Sequence, residues 1–153
     1  MILVGLGVAA ADLASKAVAV GMLGDRVVEL APLLRLFVAR NAATVGWSGQ
    51  AFQLAATGVL LLLIFLVIRN LAERDPDAPL AMGLLAGAAV GNLASALGSS
   101  YGVVDFIAIG TEGGAIVANL ADLTVLAGLA LLIRTVYRLA RLLGNPARSP
   151  SSQ

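Results

Sequence analysis

The chain has 153 residues, of which 59% are hydrophobic and only 12% are charged, and its mean hydropathy is +0.95. Soluble domains contain about 45–50% apolar and about 25% charged residues, so this composition excludes a surface made for water and predicts a protein embedded in a lipid bilayer. The net charge is +1 and the basic residues are scattered. We therefore expect no nucleic-acid partner, because nucleic-acid-binding surfaces are clustered and basic.

Two residue types are missing altogether. There is no cysteine, which excludes disulfides, thiolate nucleophiles and cysteine-ligated metal sites. There is no histidine, which excludes a Ser-His-Asp triad and histidine-ligated zinc. If this protein catalyses a reaction by acid–base chemistry, the groups available are carboxylates, Lys16 and hydroxyls.

Four segments have the length and the apolar composition of membrane-spanning helices, which need about 20 residues. They run from Ile2 to Leu23, from Gln50 to Ile68, from Leu80 to Leu97 and from Ala115 to Ile133. We predict an all-α integral membrane fold with four transmembrane helices and a small extracytoplasmic loop region. Residues 1–143 would form a single domain, and the Pro- and Ser-rich residues 144–153 a disordered cytoplasmic tail.

The distribution of basic residues predicts the orientation in the membrane, because cytoplasmic loops are enriched in Lys and Arg. The loop between the third and fourth segments contains neither residue. Arginines occur in the loop between the second and third segments and at the C-terminal end: Arg69, Arg74, Arg134, Arg138, Arg141 and Arg148. Three arginines in the first loop, Arg26, Arg35 and Arg40, oppose the rule. The balance places both termini in the cytoplasm.

A small residue recurs at every fourth position of the third segment: Gly83, Gly87, Gly91 and Ser95. In lipid, helices associate through close packing, and such a row of small residues allows two backbones to approach. We therefore predict that this row faces another helix.

Carboxylates in or beside membrane helices are costly and are usually functional. Asp12 lies four residues before Lys16, on the same helix face, so the two can neutralise each other. The plain alternative is that they form a structural ion pair and nothing more.

Asp105 and Asp122 have no basic neighbour in sequence, and the chain between them contains Gly110, Gly113 and Gly114, which would allow it to fold back. Two carboxylates brought together in this way would share a proton, as in aspartic proteases. Asn119 lies three residues before Asp122 and so shares its helix face. The competing interpretation is that each aspartate caps a helix end.

Four sequence blocks, taken together, resemble lipoprotein signal peptidases (the signal peptidase II family). The first is Asp12-Leu-Ala-Ser-Lys16, and the second is Asn41 after an arginine. The third is Gly91-Asn92-Leu93, and the fourth joins Val103-Val104-Asp105-Phe106-Ile107 to Asn119-Leu-Ala-Asp122. The blocks follow the order of the family on a matching layout of four helices and span nearly the whole chain.

The resemblance implies that Asp105 and Asp122 are the catalytic pair of a membrane aspartyl protease. The implied substrate is a prolipoprotein that carries a diacylglyceryl-modified cysteine and is cut just before it. Asn41, Asn92 and Asn119 would support the site, and Asp12 and Lys16 would help to hold the first helix. The implied protein needs no metal or organic cofactor, is a monomer surrounded by membrane lipids, and resides in the bacterial inner membrane.

The chain departs from the family pattern at the end of the third helix, where the usual Asp-Arg pair is Ser95-Ala96. Loss of both charges together leaves no orphaned charge, so the fold is compatible with the change. Two alternatives therefore stay open at this point. One is a non-catalytic relative that binds lipidated peptides or a partner protein. The other is a hydrolase that uses Lys16 with Ser99 or Ser100, since a desolvated lysine can act as a base.

Overall fold

The computed structural model describes residues 1–71, 75–111 and 114–144. Its four long helices are α1 (Ile2–Leu23), α2 (Gly46–Leu71), α3 (Ala78–Gly98) and α4 (Leu120–Gly144). Each contains a span long and apolar enough to cross a membrane, which confirms the predicted fold with four transmembrane helices. The predicted disordered tail lies outside the described residues, apart from Gly144, which ends α4.

The loops also form a small antiparallel sheet that the sequence analysis did not predict. Its strands are β1 (Val28–Ala31), β2 (Leu34–Asn41), β3 (Val103–Ile109) and β4 (Ile116–Ala118), in that order across the sheet. A short 3₁₀ helix, Ala42–Thr44, connects β2 to α2. The sheet therefore occupies the end of the molecule at which α1 and α3 finish and α2 and α4 begin.

The predicted start of the fourth helix at Ala115 is wrong, because α4 begins at Leu120. The residues just before it are apolar, which made them look continuous with the helix. They pair instead with β3, with Ala118 opposite Ile107 and Ile116 opposite Ile109. Pairing with β3 satisfies the main-chain groups of this segment that face that strand, and the helix starts only after Asn119.

Helix α3 lies at the centre of the bundle. In its membrane span 44% of the residues are buried, compared with 22% in α1 and 17% in each of α2 and α4. An apolar cluster of Ile64, Met82 and Leu85 joins α2 to α3, and Val125 of α4 packs against it. The other helices thus pack around α3, and much of their own surface faces outward, where lipid is the solvent.

The glycine row of α3 packs directly against α1, as predicted. A Cβ atom added at Gly87 would lie 2.5 Å from the carbonyl oxygen of Gly5 and 2.7 Å from Cβ of Val8. At Gly83, the same atom would lie 2.9 Å from the carbonyl oxygen of Met1. The absence of side chains on α3 therefore sets the distance between the two helix axes.

Replacing Gly87 with alanine should destabilise the protein, because the added methyl group meets main-chain atoms that cannot move aside. Overpacking of this kind costs about 1–3 kcal/mol. Gly58 in α2 is the matched control, since a Cβ there has no neighbour within 4 Å and alanine is the better helix former. We expect a lower melting temperature in detergent for Gly87→Ala and an unchanged or higher one for Gly58→Ala. Equal melting temperatures would contradict this account of the α1–α3 interface.

Candidate active site

The first turn of α4 is held by two reciprocal hydrogen bonds. The backbone N–H of Asp122 donates to Oδ1 of Asn119 at 3.1 Å, and the backbone N–H of Asn119 donates to Oδ2 of Asp122 at 3.0 Å. This is a capping box, in which the residue before the helix and the third helical residue satisfy each other's free N–H groups. The capping box fixes the backbone and the carboxylate of Asp122 at the start of the helix.

Asp105 reaches the same place from the sheet. It lies on β3 opposite Ala39 of β2, and the residue is only 9% exposed. Its Oδ1 atom accepts a hydrogen bond of 2.6 Å from Nδ2 of Asn119. One residue, Asn119, therefore contacts both carboxylates, and the β3–β4 hairpin supplies the fold-back that the intervening glycines predicted.

The start of β3 is anchored to the 3₁₀ helix. The hydroxyl of Thr44 accepts the N–H of Val103 at 2.8 Å and donates to the carbonyl of Asn41 at 2.7 Å. Gly102 precedes this contact with a φ of +86°, and a Cβ there would collide with the carbonyl oxygen of Asn41. Only glycine combines this backbone angle with so close an approach. The strand that carries Asp105 is thus fixed in position at its first residue.

A third amide, Asn92 of α3, completes the polar cluster. Its Nδ2 group donates to Oδ1 of Asp122 at 3.3 Å, and its Oδ1 atom accepts from Nδ2 of Asn119 at 3.2 Å and from Nζ of Lys16 at 2.7 Å. An ammonium group can only donate. Lys16 therefore fixes the orientation of the Asn92 amide, with its oxygen toward lysine and its NH₂ group toward Asp122.

Asp12 and Lys16 form the predicted ion pair, with 2.6 Å between Nζ and Oδ2. The Asp12 side chain is fully buried, and its Oδ1 atom accepts the backbone N–H of Ala121 at 2.9 Å. Gly91 makes room for it, because a Cβ there would lie 2.7 Å from Oδ2 of Asp12. The pair does more than neutralise itself, since it ties α1 to α3 and to the first turn of α4.

The residues around the two aspartates enclose a cavity of about 300 Å³. Its walls are formed by Asn41, Thr44, Gln53, Asn92, Val103, Asp105, Val117, Asn119 and Asp122. All the predicted site residues except Asp12 and Lys16 are in this set. Those two do not line the cavity, and Lys16 contacts it through its hydrogen bond to Asn92. Within the described ranges, no group of three or more carboxylates comes together that could hold a metal ion.

Two polar residues of the cavity wall, Thr44 and Gln53, were not among the predicted site residues. Gln53 had a detectable signal, since a glutamine inside a membrane helix is expensive and tends to be functional. Thr44 had none, because its role depends on the contact between the 3₁₀ helix and β3.

Asp105 is the residue of the polar cluster whose pKa is raised. Burial raises the pKa of Asp105 above its usual 3.8, and the negative charge of Asp122 raises it further. The hydrogen bond from Asn119 acts in the opposite direction but does not cancel the effect of burial. A carboxyl group removed from water and close to a like charge holds its proton more tightly.

The substituted positions at the end of α3 leave no stranded charge. Ala96 is fully buried, and its carbonyl accepts a hydrogen bond of 3.3 Å from Nε2 of Gln50. Thr135 has the only buried side-chain polar atom without a partner in the described part of the chain, and it lies in α4, more than three turns beyond Asp122.

The structure does not form the alternative pairing of Lys16 with a serine. Among the residues described, Lys16 hydrogen-bonds to Asp12 and Asn92, while the Ser99 hydroxyl accepts the N–H of Tyr101. A nucleophile and its base should lie within hydrogen-bonding reach of each other.

Comparison with known proteins gives a consistent result. The family described as signal peptidase (SPase) II matches residues 4–138. A lipoprotein signal peptidase from Streptomyces coelicolor is 33% identical over 136 residues, which cover 83% of this chain. The match spans 65% of that relative's length.

Two solved structures of bacterial membrane enzymes, both obtained by the in meso method, share the fold. The structure at 1.9 Å resolution has a TM-score of 0.73 and 22% identity, and the match covers 88% of this chain and 90% of that one. The structure at 2.3 Å resolution has a TM-score of 0.69 and 23% identity, with 99% and 93% covered.

The raised pKa of Asp105 predicts a pH dependence of stability. Between pH 3.8 and the pKa in the folded protein, the folded state binds more protons than the unfolded state, so stability falls as the pH rises. The contribution of protonated Asp105 is complete below that window and is lost above it. We expect the melting temperature of Asp105→Asn to fall less steeply with pH than that of the wild type in detergent. Parallel curves would show that Asp105 is not buried as described.

Proposed function

This chain belongs to the signal peptidase II family, and from that membership and the geometry of the site we propose that it is an aspartic endopeptidase that processes lipoproteins. Its substrates are prolipoproteins that carry a diacylglyceryl-modified cysteine, and it cuts just before this cysteine to release the signal peptide. One observation carries the proposal. Asp105 and Asp122 line a single cavity and are bridged by Asn119.

The hydrogen bonds assign different roles to the two aspartates. Both oxygens of Asp122 accept bonds from N–H groups of Asn92 and Asn119, an environment suited to a carboxylate, which can only accept. Burial and the nearby charge of Asp122 raise the pKa of Asp105, and we therefore assign the shared proton to Asp105. Asp122 is then the general base and Asp105 the general acid.

The reaction follows from these roles. A water molecule between the carboxyl groups loses a proton to Asp122 while its oxygen bonds to the scissile carbonyl carbon. Asp105 donates its proton to the carbonyl oxygen, which gives a neutral tetrahedral intermediate. The carbon–nitrogen bond then breaks as the leaving amine takes a proton from Asp122, and Asp105 recovers its proton from the collapsing hydroxyl group.

The other predicted site residues support this pair. Asn92 and Asn119 donate to the aspartates, and Asn41 caps the 3₁₀ helix by accepting the N–H of Ala43. Asp12 accepts the backbone N–H of Ala121, and Lys16 donates to the side chain of Asn92. A non-catalytic binding protein would have no use for a buried carboxyl group with a raised pKa, so catalysis accounts better for Asp105.

We also propose that the protein is a monomer surrounded by lipid in the bacterial inner membrane, with both termini in the cytoplasm and the cavity near the outer leaflet. The arginines at the opposite end of the bundle support this orientation, because cytoplasmic ends are enriched in Lys and Arg. Arg138 contacts Asp77 at 2.8 Å and Asp75 at 3.6 Å, and Arg134 contacts Asp77 at 3.4 Å. Such a cluster needs water nearby and marks the end of the hydrocarbon layer. Arg74 and Arg148, which also entered the prediction, lie outside the described residues.

Replacing either aspartate should abolish cleavage. We expect Asp105→Asn and Asp122→Asn each to lower the rate by about 10²–10⁴-fold, the usual contribution of an acid or base catalyst. The assay follows release of the signal peptide from a diacylglyceryl-modified model substrate. Asp25→Asn, at an exposed position, is the control and should retain full activity. Wild-type rates for either dyad variant would refute the mechanism.

Reporter fusions test the orientation. Alkaline phosphatase, which is active only outside the cytoplasm, should be inactive when it is fused to the C-terminus and active when it is inserted after Thr111. A fluorescent protein that matures in the cytoplasm should behave in the opposite way. An active phosphatase at the C-terminus would reverse the proposed topology.

A further inference from the structure

Gln53 is a polar side chain in a membrane-spanning helix. It lies two turns into α2, within the span Gly46–Leu66. No hydrogen bond joins its amide to another residue in the part of the chain that the structure describes. An amide without a partner is costly where lipid replaces water, and polar groups retained at such depth tend to be functional.

Gln53 stands at the junction of two cavities. It lines the cavity of about 300 Å³ that contains the aspartates and also a second cavity of about 180 Å³ between α2, α3 and α4. Asn92 is the other residue common to both. The polar site therefore adjoins a space inside the membrane span, and Gln53 lies at the boundary between the two cavities.

The second cavity adjoins a third, of about 260 Å³. Leu60 and Val125 line both, and all other residues of the third cavity are apolar. The three cavities together form a groove between α2 and α4 with α3 as its floor. A hydrophobic segment of substrate can lie in the apolar part while its polar end reaches the aspartates.

A signal peptide that is cut in this groove needs hydrogen-bond partners for its main chain. The main chain around the scissile bond must be extended to expose its carbonyl group to the aspartates, and an extended main chain has free N–H and C=O groups. In the bilayer these groups need protein partners. An amide side chain offers a donor and an acceptor, which matches a peptide group, whereas the ester of a lipid can only accept.

We propose that Gln53 is a substrate-binding residue that hydrogen-bonds a main-chain peptide group of the precursor where it passes from the apolar groove to the aspartates. This inference rests on the proposed peptidase function and adds a residue of substrate recognition to it.

The test compares two glutamines one turn apart on α2. Gln53→Leu and Gln53→Met should raise KM about three- to tenfold, the effect of one neutral hydrogen bond, while kcat and the melting temperature stay near the wild type. Gln50 donates to the carbonyl of Ala96, so Gln50→Leu should lower the melting temperature and leave KM unchanged. A merely structural Gln53 would give the result expected for Gln50.

Modified substrates identify the partner group. Replacing one peptide bond near the cleavage site with an ester removes the N–H donor and weakens the carbonyl acceptor. At one position this change should raise KM for the wild type but not for Gln53→Leu. If the difference between the two enzymes disappears instead with an ether-linked lipid on the cysteine, Gln53 binds the lipid and the inference is wrong.

The two levels of the proposal fail differently. If the wild-type enzyme does not cleave the lipidated precursor, the peptidase function is refuted. If the wild type cleaves it and both Gln53 variants show the wild-type KM, the peptidase function stands and the role of Gln53 is refuted.

Discussion

The first turn of a membrane helix has free N–H groups, and in lipid there is no water to satisfy them. At the start of α4 these groups are satisfied by side chains from two elements. Asp12 of α1 accepts the N–H of Ala121, while Asn119 and Asp122 satisfy each other. These capping hydrogen bonds fix the positions of Asp122 and Asn119. The Asn119 side chain also donates a hydrogen bond to Asp105. The local capping requirement thus organises the whole polar cluster.

The rest of the fold brings the partners of that turn into reach. Gly83 and Gly87 let α1 approach α3 closely, and Gly91 leaves the space that Asp12 occupies. The sheet supplies Asp105 from the opposite side, on a strand fixed by the Thr44 contact. Helix packing in the membrane positions Asp12, and strand pairing in the sheet positions Asp105. The polar cluster lies where the helix bundle meets the sheet.

Much of this arrangement could be predicted from sequence because its signals are local. Four apolar segments indicated the helices, the four-residue repeat of glycines indicated a helix contact, and the i, i+3 spacing of Asn119 and Asp122 placed them on one face. The sheet could not be predicted in the same way. Ile116–Ala118 is apolar and joins directly to a helical pattern, and only its pairing with β3 makes it a strand. Gln53 was overlooked although a glutamine inside a membrane helix is itself a signal, and its position between two cavities is visible only in the tertiary structure.

Because only Asp122 belongs to the capping box, the presence of an aspartate at position 105 and at position 122 is informative in different ways when related sequences are compared. Asp122 stabilises its own helix, so a descendant that had lost catalysis would still be selected to keep an acceptor at that position. Asp105 closes no helix end, its side chain hydrogen-bonds only to Asn119 within the described residues, and burial disfavours its charged form. A chain that no longer cut its substrate would gain by replacing Asp105 with an uncharged residue. Under the proposed mechanism, Asp105 is therefore the position that would separate working enzymes from inactive descendants, whereas an aspartate at 122 is also explained by the start of the helix.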